Sequence, residues 1–222
     1  MLLVLGGIKG GSGKSTLAVN LAVARARRHT VLLVDGDDQQ STTDWWAERK
    51  STYPDLSPNL DFMQVAGKSA RDRLLVVADR YDTVIVDTGG RDTVTQRAVL
   101  SVGDLLLLPF QPRSVDIWTI KRVSALIAEI LTINPELKCE GFINRAFANS
   151  TDNDDAMAAI NEADNIQLIP LKIGDRKAFS NSFGMGLIVP EIRPRVDKAI
   201  DELQALYAYC FHSEALKSTK KH

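Results

Sequence analysis

The sequence predicts an α/β fold, a single domain built on a mostly parallel, twisted sheet with helices on both faces. Three observations predict it. Short runs rich in Leu, Val and Ile alternate with helix-length segments along the chain, the order expected of βαβ units. Several of these runs are apolar at every position, as strands covered on both faces are. Five of them are followed by polar or glycine-rich sequence: KGGSGKST, DGDDQQ, DTGGRD, PFQPRSVD and NRAF. In open parallel sheets ligands gather beyond the carboxyl ends of the strands.

The elements follow in order. LLVLGGI (2–8) is a strand stopped by glycines, and TLAVNLAVARA opens a helix near 14–28. TVLLVD (30–35) is a second strand, with a helix near 41–50. LDFMQV (60–65) is a weaker strand before a helix near 68–80. TVIVDT (83–88) and DLLLLPF (104–110) are buried strands, with helices near 92–101 and 115–131. KCEGFIN (138–144) and IQLIPL (166–171) complete the sheet, with helices near 151–163, where Asp152 or Asn153 is the expected N-cap, and 192–210. Crossovers should be right-handed. No internal repeat or Pro/Ser-rich linker divides the chain, so residues 1–210 are read as one domain and 211–222 as a flexible polar and basic tail.

Lys and Arg number 27 against 28 Asp and Glu. This balance argues against a wholesale nucleic-acid coat and leaves room only for a local basic patch. Cys139 and Cys210 are far apart, in no metal-like spacing, and read as buried or free thiols. No signal peptide is apparent and no apolar run is long enough to span a membrane, so a soluble, cytoplasmic protein is expected.

The segment IKGGSGKST carries the chemistry. Glycines at 10, 11 and 13 let the backbone curl so that successive N–H groups point inward as a phosphate nest. The helix that follows adds the positive end of its dipole. Lys14 reaches the β- and γ-phosphates and the Ser15 hydroxyl a magnesium ion. Gly10, Gly11, Ser12, Gly13, Lys14, Ser15 and Thr16 are therefore the expected phosphate contacts of a P-loop NTPase. The strict motif puts a glycine at position 8, where this chain has Ile8, and adds a second lysine, Lys9.

In that departure the loop resembles the deviant Walker A motif, K-G-G-x-G-K-[ST], of the ParA/MinD family of ATPases. The resemblance implies ATP and Mg²⁺ as ligands, a weak intrinsic ATPase activity and a nucleotide-sandwich homodimer. Lys9 of one subunit would cross to the phosphates held by the other, as an arginine finger does. The plainer reading is an exposed loop lysine.

DGDDQQ resembles the family's D-x-D-P-Q. Asp35, Asp37 and Gln39 match, and Asp38 replaces the proline. The resemblance makes Asp37 the residue that positions the attacking water and puts Asp35 near the metal shell; capping of the next helix is the alternative. Asp87, ending TVIVD, resembles a Walker B carboxylate that meets the metal directly or through water. Gly89 and Gly90, where relatives often have prolines, make either a pliable γ-phosphate sensor or a simple turn. Asn144 and Arg145 in FINRAF resemble the adenine-reading strand end. Asn144 would bond the base and Arg145 would stack on it or contact the sugar, against the plainer reading of a turn asparagine.

Ile173, Arg176, Gly186 and Val189 match a further family pattern, I-x-x-R, a small-residue helix, then G-x-x-V. Relatives bind DNA without sequence preference through basic residues of this region. Lys172, Arg176, Lys177, Arg193, Arg195 and Lys198 are the candidates, each also readable as a surface charge. One of Trp45 and Trp46 is expected in the core, with the other packed beside it or facing a partner.

The resemblance implies a partition or positioning ATPase. It would bind ATP and Mg²⁺, dimerise, associate with the nucleoid through DNA, and hydrolyse ATP slowly when stimulated by a ParB-like, cargo-bound adaptor. Because the chain opens on the first strand, the short type without an N-terminal helix-turn-helix is expected. Two other readings stand beside it. One is a MinD-like membrane-cycling ATPase, which needs an amphipathic C-terminal helix. The other is a metabolic ATPase of the same superfamily.

Overall fold

A computed structural model of the protein describes residues 1–112 and 117–218, except for the side chains of 117 and 212–218. Seven strands form one sheet: β1 (Leu2–Leu5), β2 (Val31–Gly36), β3 (Leu60–Gln64), β4 (Thr83–Thr88), β5 (Leu105–Phe110), β6 (Lys138–Ala146) and β7 (Gln167–Gly174). Their order is β3-β2-β4-β1-β5-β6-β7 and every pairing is parallel. All seven expected strands are present, including the weakly signalled β3. From β1 the chain steps past the future place of β4 to β2 and β3, returns to β4, and then builds outward on the other side. The loops after β1, β2 and β4 therefore converge where the winding reverses.

The helices are α1 (Lys14–Ala26), α2 (Ser41–Thr52), α3 (Ser69–Ala78), α4 (Val94–Leu100), α5 (Ile117–Leu131), α6 (Asp152–Asn161), α7 (Lys177–Gly184) and α8 (Asp197–Ser218). Alternate strand residues feed two cores. Leu3, Leu5, Leu33, Ile85 and Phe142 pack with α1, Trp45 of α2, α7 and α8. Leu2, Val4, Val34, Val86 and Leu108 pack on the opposite face with α3, α4, α5 and α6. This is the two-faced burial implied by strands apolar at every position.

Three local expectations are revised. The last helix starts at Asp197 rather than near 192, after a 3-10 turn at Val189–Glu191; Pro190 and Pro194 lack amide hydrogens and hold this stretch out of helix. The same helix runs on to Ser218, past the expected end at 210, because no Gly or Pro interrupts it. Asn153 does not cap α6; its side chain closes the preceding loop through the Phe147 N–H and the Phe147 and Ser150 carbonyls. The expected strand-end segment PFQPRSVD falls partly on 113–116, and the tail partly on 219–222, both outside the described residues. Among the described residues no helix is long and apolar enough to cross a membrane.

Candidate functional site

A cleft of about 980 Å³ opens over the carboxyl ends of the strands. Its floor is the loop between β1 and α1. Gly11 and Gly13 take φ of 77° and 90°, which curls this loop into the first turn of α1. Lys14 is nearly buried, and its ammonium donates to the Lys9 carbonyl at 3.1 Å. Burial pushes its pKa below the usual lysine value, opposed by the charges of Asp87 and Asp37. Lys14 thus bridges the loop, with the two acidic segments as counter-charges. The side chain of Lys9 is exposed.

Asp87 lies at the end of β4, fully buried. The Thr42 hydroxyl donates to its Oδ2 at 2.7 Å and the Ser15 hydroxyl bonds the same carboxyl group. Among the described residues its Oδ1 has no hydrogen-bond partner. Burial raises the pKa to about 7, against the lowering effect of the Ser15 and Thr42 bonds, while neighbouring Asp35 raises it further and Lys14 lowers it. A buried carboxylate with one unpartnered oxygen beside a serine hydroxyl fits a hard cation of the magnesium class.

Asp87 has its ordinary carboxylate pKa when unfolded and about 7 when folded. The folded nucleotide-free protein therefore binds the extra proton between these values, and its stability falls as pH rises from about 4 to about 7. Urea melts of the wild type and Asp87→Asn from pH 5 to 8 should show that limb flattened in the variant.

Asp35 is placed differently from Asp87. Its Oδ1 accepts the Asp37 N–H at 3.0 Å, and its Oδ2 accepts the Thr43 N–H and hydroxyl at 2.8 and 2.7 Å. It is nearly buried, behind a cleft wall formed by Gly36 and Asp37. Asp35 therefore shapes the turn into α2. Asp37, with Asp38 and Gln39, faces the cleft. Gly90 is a tight fit: a Cβ there would lie 2.6 Å from the Gly10 nitrogen. The β4 loop lies directly on the phosphate loop, so this glycine is needed for close approach.

At the other end of the cleft the Asn144 amide donates to the Ser12 carbonyl at 2.6 Å. Arg145, at φ 57°, reaches the Gly11 carbonyl at 3.2 Å and the Asp175 carboxylate at 3.0 Å. Both residues line the cleft, with Phe179, Ser180 and Phe183 of α7 opposite.

A family model described as the CobQ/CobB/MinD/ParA nucleotide binding domain matches residues 3–189. The chain belongs to this family. It is 25% identical over 210 residues to the maintenance of carboxysome distribution protein A of Halothiobacillus neapolitanus, covering 92% of this chain and 93% of that protein. It is 40% identical over 118 residues to the protein of the same name from Gloeobacter kilaueensis, a match spanning 53% of this chain and 51% of that relative. The ATP complex of Cyanothece McdA superposes with a TM-score of 0.74 at 15% identity, over 94% of this chain and 95% of that one, which is a likeness of fold.

Within this nucleotide-binding family member, the six basic candidates divide. Arg176 is held by Glu202 at 2.8 and 2.5 Å, and Glu202 also accepts the Gly174 N–H at 3.1 Å. Lys172 pairs with Asp154 and Arg195 with Asp197, each at 2.6 Å. Arg193 donates to the Ile192 carbonyl, and Lys177 and Lys198 are exposed. Acidic residues interleave with the cations, so these six candidates do not form a continuous basic face. Exposed pairs such as Lys172–Asp154 are worth little and can exchange for phosphate.

Trp45 and Trp46 pack on their own domain: Trp45 is buried, and Trp46 stacks on Phe62 at 5.4 Å. Cys139 and Cys210 are buried and free. Sequence reasoning missed Thr42, the Gln111 side-chain bond to the Gly11 carbonyl, and the pairing of buried Arg49 with Glu191. No local motif or periodicity signals contacts this distant in sequence.

Proposed function

We propose that the protein is an ATP-dependent positioning ATPase. The reading is supported chiefly by the orphaned Asp87 oxygen beside Ser15 and Lys14 at the foot of a curled glycine loop. Lys9, Gly10, Gly11, Ser12, Gly13, Lys14, Ser15 and Thr16 hold the phosphates of ATP. Asn144 and Arg145 hold the adenine end. Ser15, Asp37 and Asp87 hold Mg²⁺ directly or through water, with Asp35 fixing the turn that carries Asp37. The ion supplies charge neutralisation at the phosphates. Asp37 orients the water that attacks the γ-phosphorus as the bond to the bridging oxygen breaks, releasing ADP and phosphate. Lys14 and the partner's Lys9 offset the charge on the transferring group.

ATP-dependent dimers bind DNA without sequence preference through Lys172, Lys177, Arg193, Arg195 and Lys198. Arg176 acts behind them by fixing Glu202 and the start of α7. A cargo-bound, ParB-like adaptor stimulates hydrolysis and resets the cycle between nucleoid and cytoplasm. The cargo reading draws on two relatives named for carboxysome distribution, which favour a protein compartment over a plasmid.

The test is binding to random-sequence duplex DNA at low salt, with no nucleotide, ADP or ATP–Mg²⁺. Binding should appear with ATP alone and weaken steeply with salt. Binding absent in all three, with ATP still driving dimerisation, would remove DNA as the matrix.

A further inference from the structure

Helix α2 touches the site at one end and a distant segment at the other. In its first turn Thr42 donates to Asp87 at 2.7 Å and Thr43 to Asp35 at 2.7 Å. Farther along, the Trp45 indole donates to the Leu187 carbonyl at 3.2 Å. Arg49 donates to the Gly186 carbonyl and to both oxygens of Glu191, each at 2.9 Å, and to Ser57 Oγ at 2.9 Å. The Arg49 side chain is 0% exposed and that of Glu191 18%.

The segment is pressed against the helix backbone. Gly186 has φ 67°, and a Cβ there would lie 2.7 Å from the Arg49 nitrogen. A second nucleotide-facing helix holds the same segment: Asn20 of α1, fully buried, accepts the Val189 N–H at 3.0 Å. The segment leads directly into Arg193 and Arg195.

We propose that α2 is a coupling rod, with Thr42 and Arg49 as positioning residues that link occupancy of the Asp87 end to the segment 186–195. The proposal rests on the ATP-binding reading above. A helical turn is fixed by its backbone ladder, so α2 moves as a unit rather than stretching. A ligand drawn to the unpartnered Asp87 Oδ1 moves the carboxyl group whose Oδ2 Thr42 holds. Thr42 is fully buried, so it does not exchange that partner for bulk water. Its displacement is carried to Trp45 and Arg49, and hence to Gly186, Leu187 and Glu191. The segment thus has two holders, α1 from the phosphate loop and α2 from the acidic turn. Both bias one element, which is the physical condition for coupling.

Two amides report on this clip. The Ile188 N–H donates to the Glu191 carboxylate at 3.0 Å and the Val189 N–H to Asn20. The experiment measures hydrogen exchange of these amides in full-length protein, without nucleotide and at saturating ATP–Mg²⁺, with occupancy followed by a fluorescent nucleotide. In the wild type, ATP should slow their exchange by about tenfold.

The double variant Arg49→Met/Glu191→Met replaces the pair with apolar side chains and so avoids an unpaired buried charge. It should bind ATP yet show less than about a twofold nucleotide effect at the Val189 amide, which keeps its Asn20 acceptor where Ile188 loses Glu191. Thr42→Val, which cuts the other end of the rod, should behave the same way and carries the test alone if the double variant does not fold. A merely structural role would change exchange in both states and leave the ATP-dependent difference intact. That result overturns the proposal, as does a wild type that binds ATP with no change at Ile188 and Val189. A wild type that binds no ATP removes the ATPase reading as well, which separates the two failures.

Discussion

Replacing Lys14 with alanine should abolish ATP binding, with affinity falling by about a hundredfold or more. The ammonium is nearly buried and already held over the loop by the Lys9 carbonyl, so little ordering remains to be done when phosphate arrives. Burial lowers its pKa while Asp87 and Asp37 hold the charge in place. Phosphate oxygens add anionic partners that favour the charged form further. Each charge-assisted bond contributes roughly 1.5–3 kcal/mol, and the proposed ATP-binding reading gives Lys14 two phosphates to bond. The variant also leaves Asp87 and Asp37 facing polyphosphate with less counter-charge, so repulsion adds to the lost contacts. Lys14→Met keeps the bulk of the stem and should lose binding equally, which separates charge from packing. Titration with a fluorescent ATP analogue decides the point; affinity within about threefold of wild type would mean that the loop does not hold the phosphates through this lysine.

The fold was legible because its signals are local. β2, β4 and β5 carry the unbroken apolar runs VLLV, VIV and LLLL and are buried along their whole length, as a strand covered on both faces is. The phosphate loop was legible for a similar reason, since curl, lysine and hydroxyl are all encoded within nine residues. What stayed hidden depends on partners far away in the chain. Asp35 and Asp87 look alike in sequence, each ending an apolar run. Thr43 engages Asp35 from the turn of α2 while one Asp87 oxygen stays without a partner among the described residues, and periodicity does not report that difference.

Gly90 read as pliable or as a plain turn, but it is there because the Gly10 backbone lies against it. Arg49 belongs to no motif in the sequence. Its carboxylate partner is 142 positions away, and the two meet only after the sheet has brought α2 beside the segment that follows α7. The basic candidates fared similarly. Their charges were countable in sequence, whereas the interleaved Asp154, Asp197 and Glu202 became relevant only in three dimensions.

Lys9→Ala should leave ATP binding within about threefold of wild type while removing the ATP-dependent dimer and lowering turnover by about a hundredfold or more. The loop uses the carbonyl of Lys9 to hold Lys14, and alanine supplies the same carbonyl. The side chain is exposed, and truncating an exposed side chain usually costs a fold little. A charge delivered by a second subunit has its effect at the interface and at the transferring phosphoryl group, where positive charge is worth most. Sedimentation with ATP and phosphate-release kinetics read the two losses separately.

Mixing variants then assigns the direction of action. Lys14→Ala cannot load its own site but still carries Lys9, whereas Lys9→Ala loads ATP but lacks the crossing lysine. A mixed dimer places an intact Lys9 over the one loaded site, so partial turnover should return on mixing two proteins that are each inactive alone. A lysine acting on its own nucleotide predicts no recovery, because no subunit in the mixture has both residues.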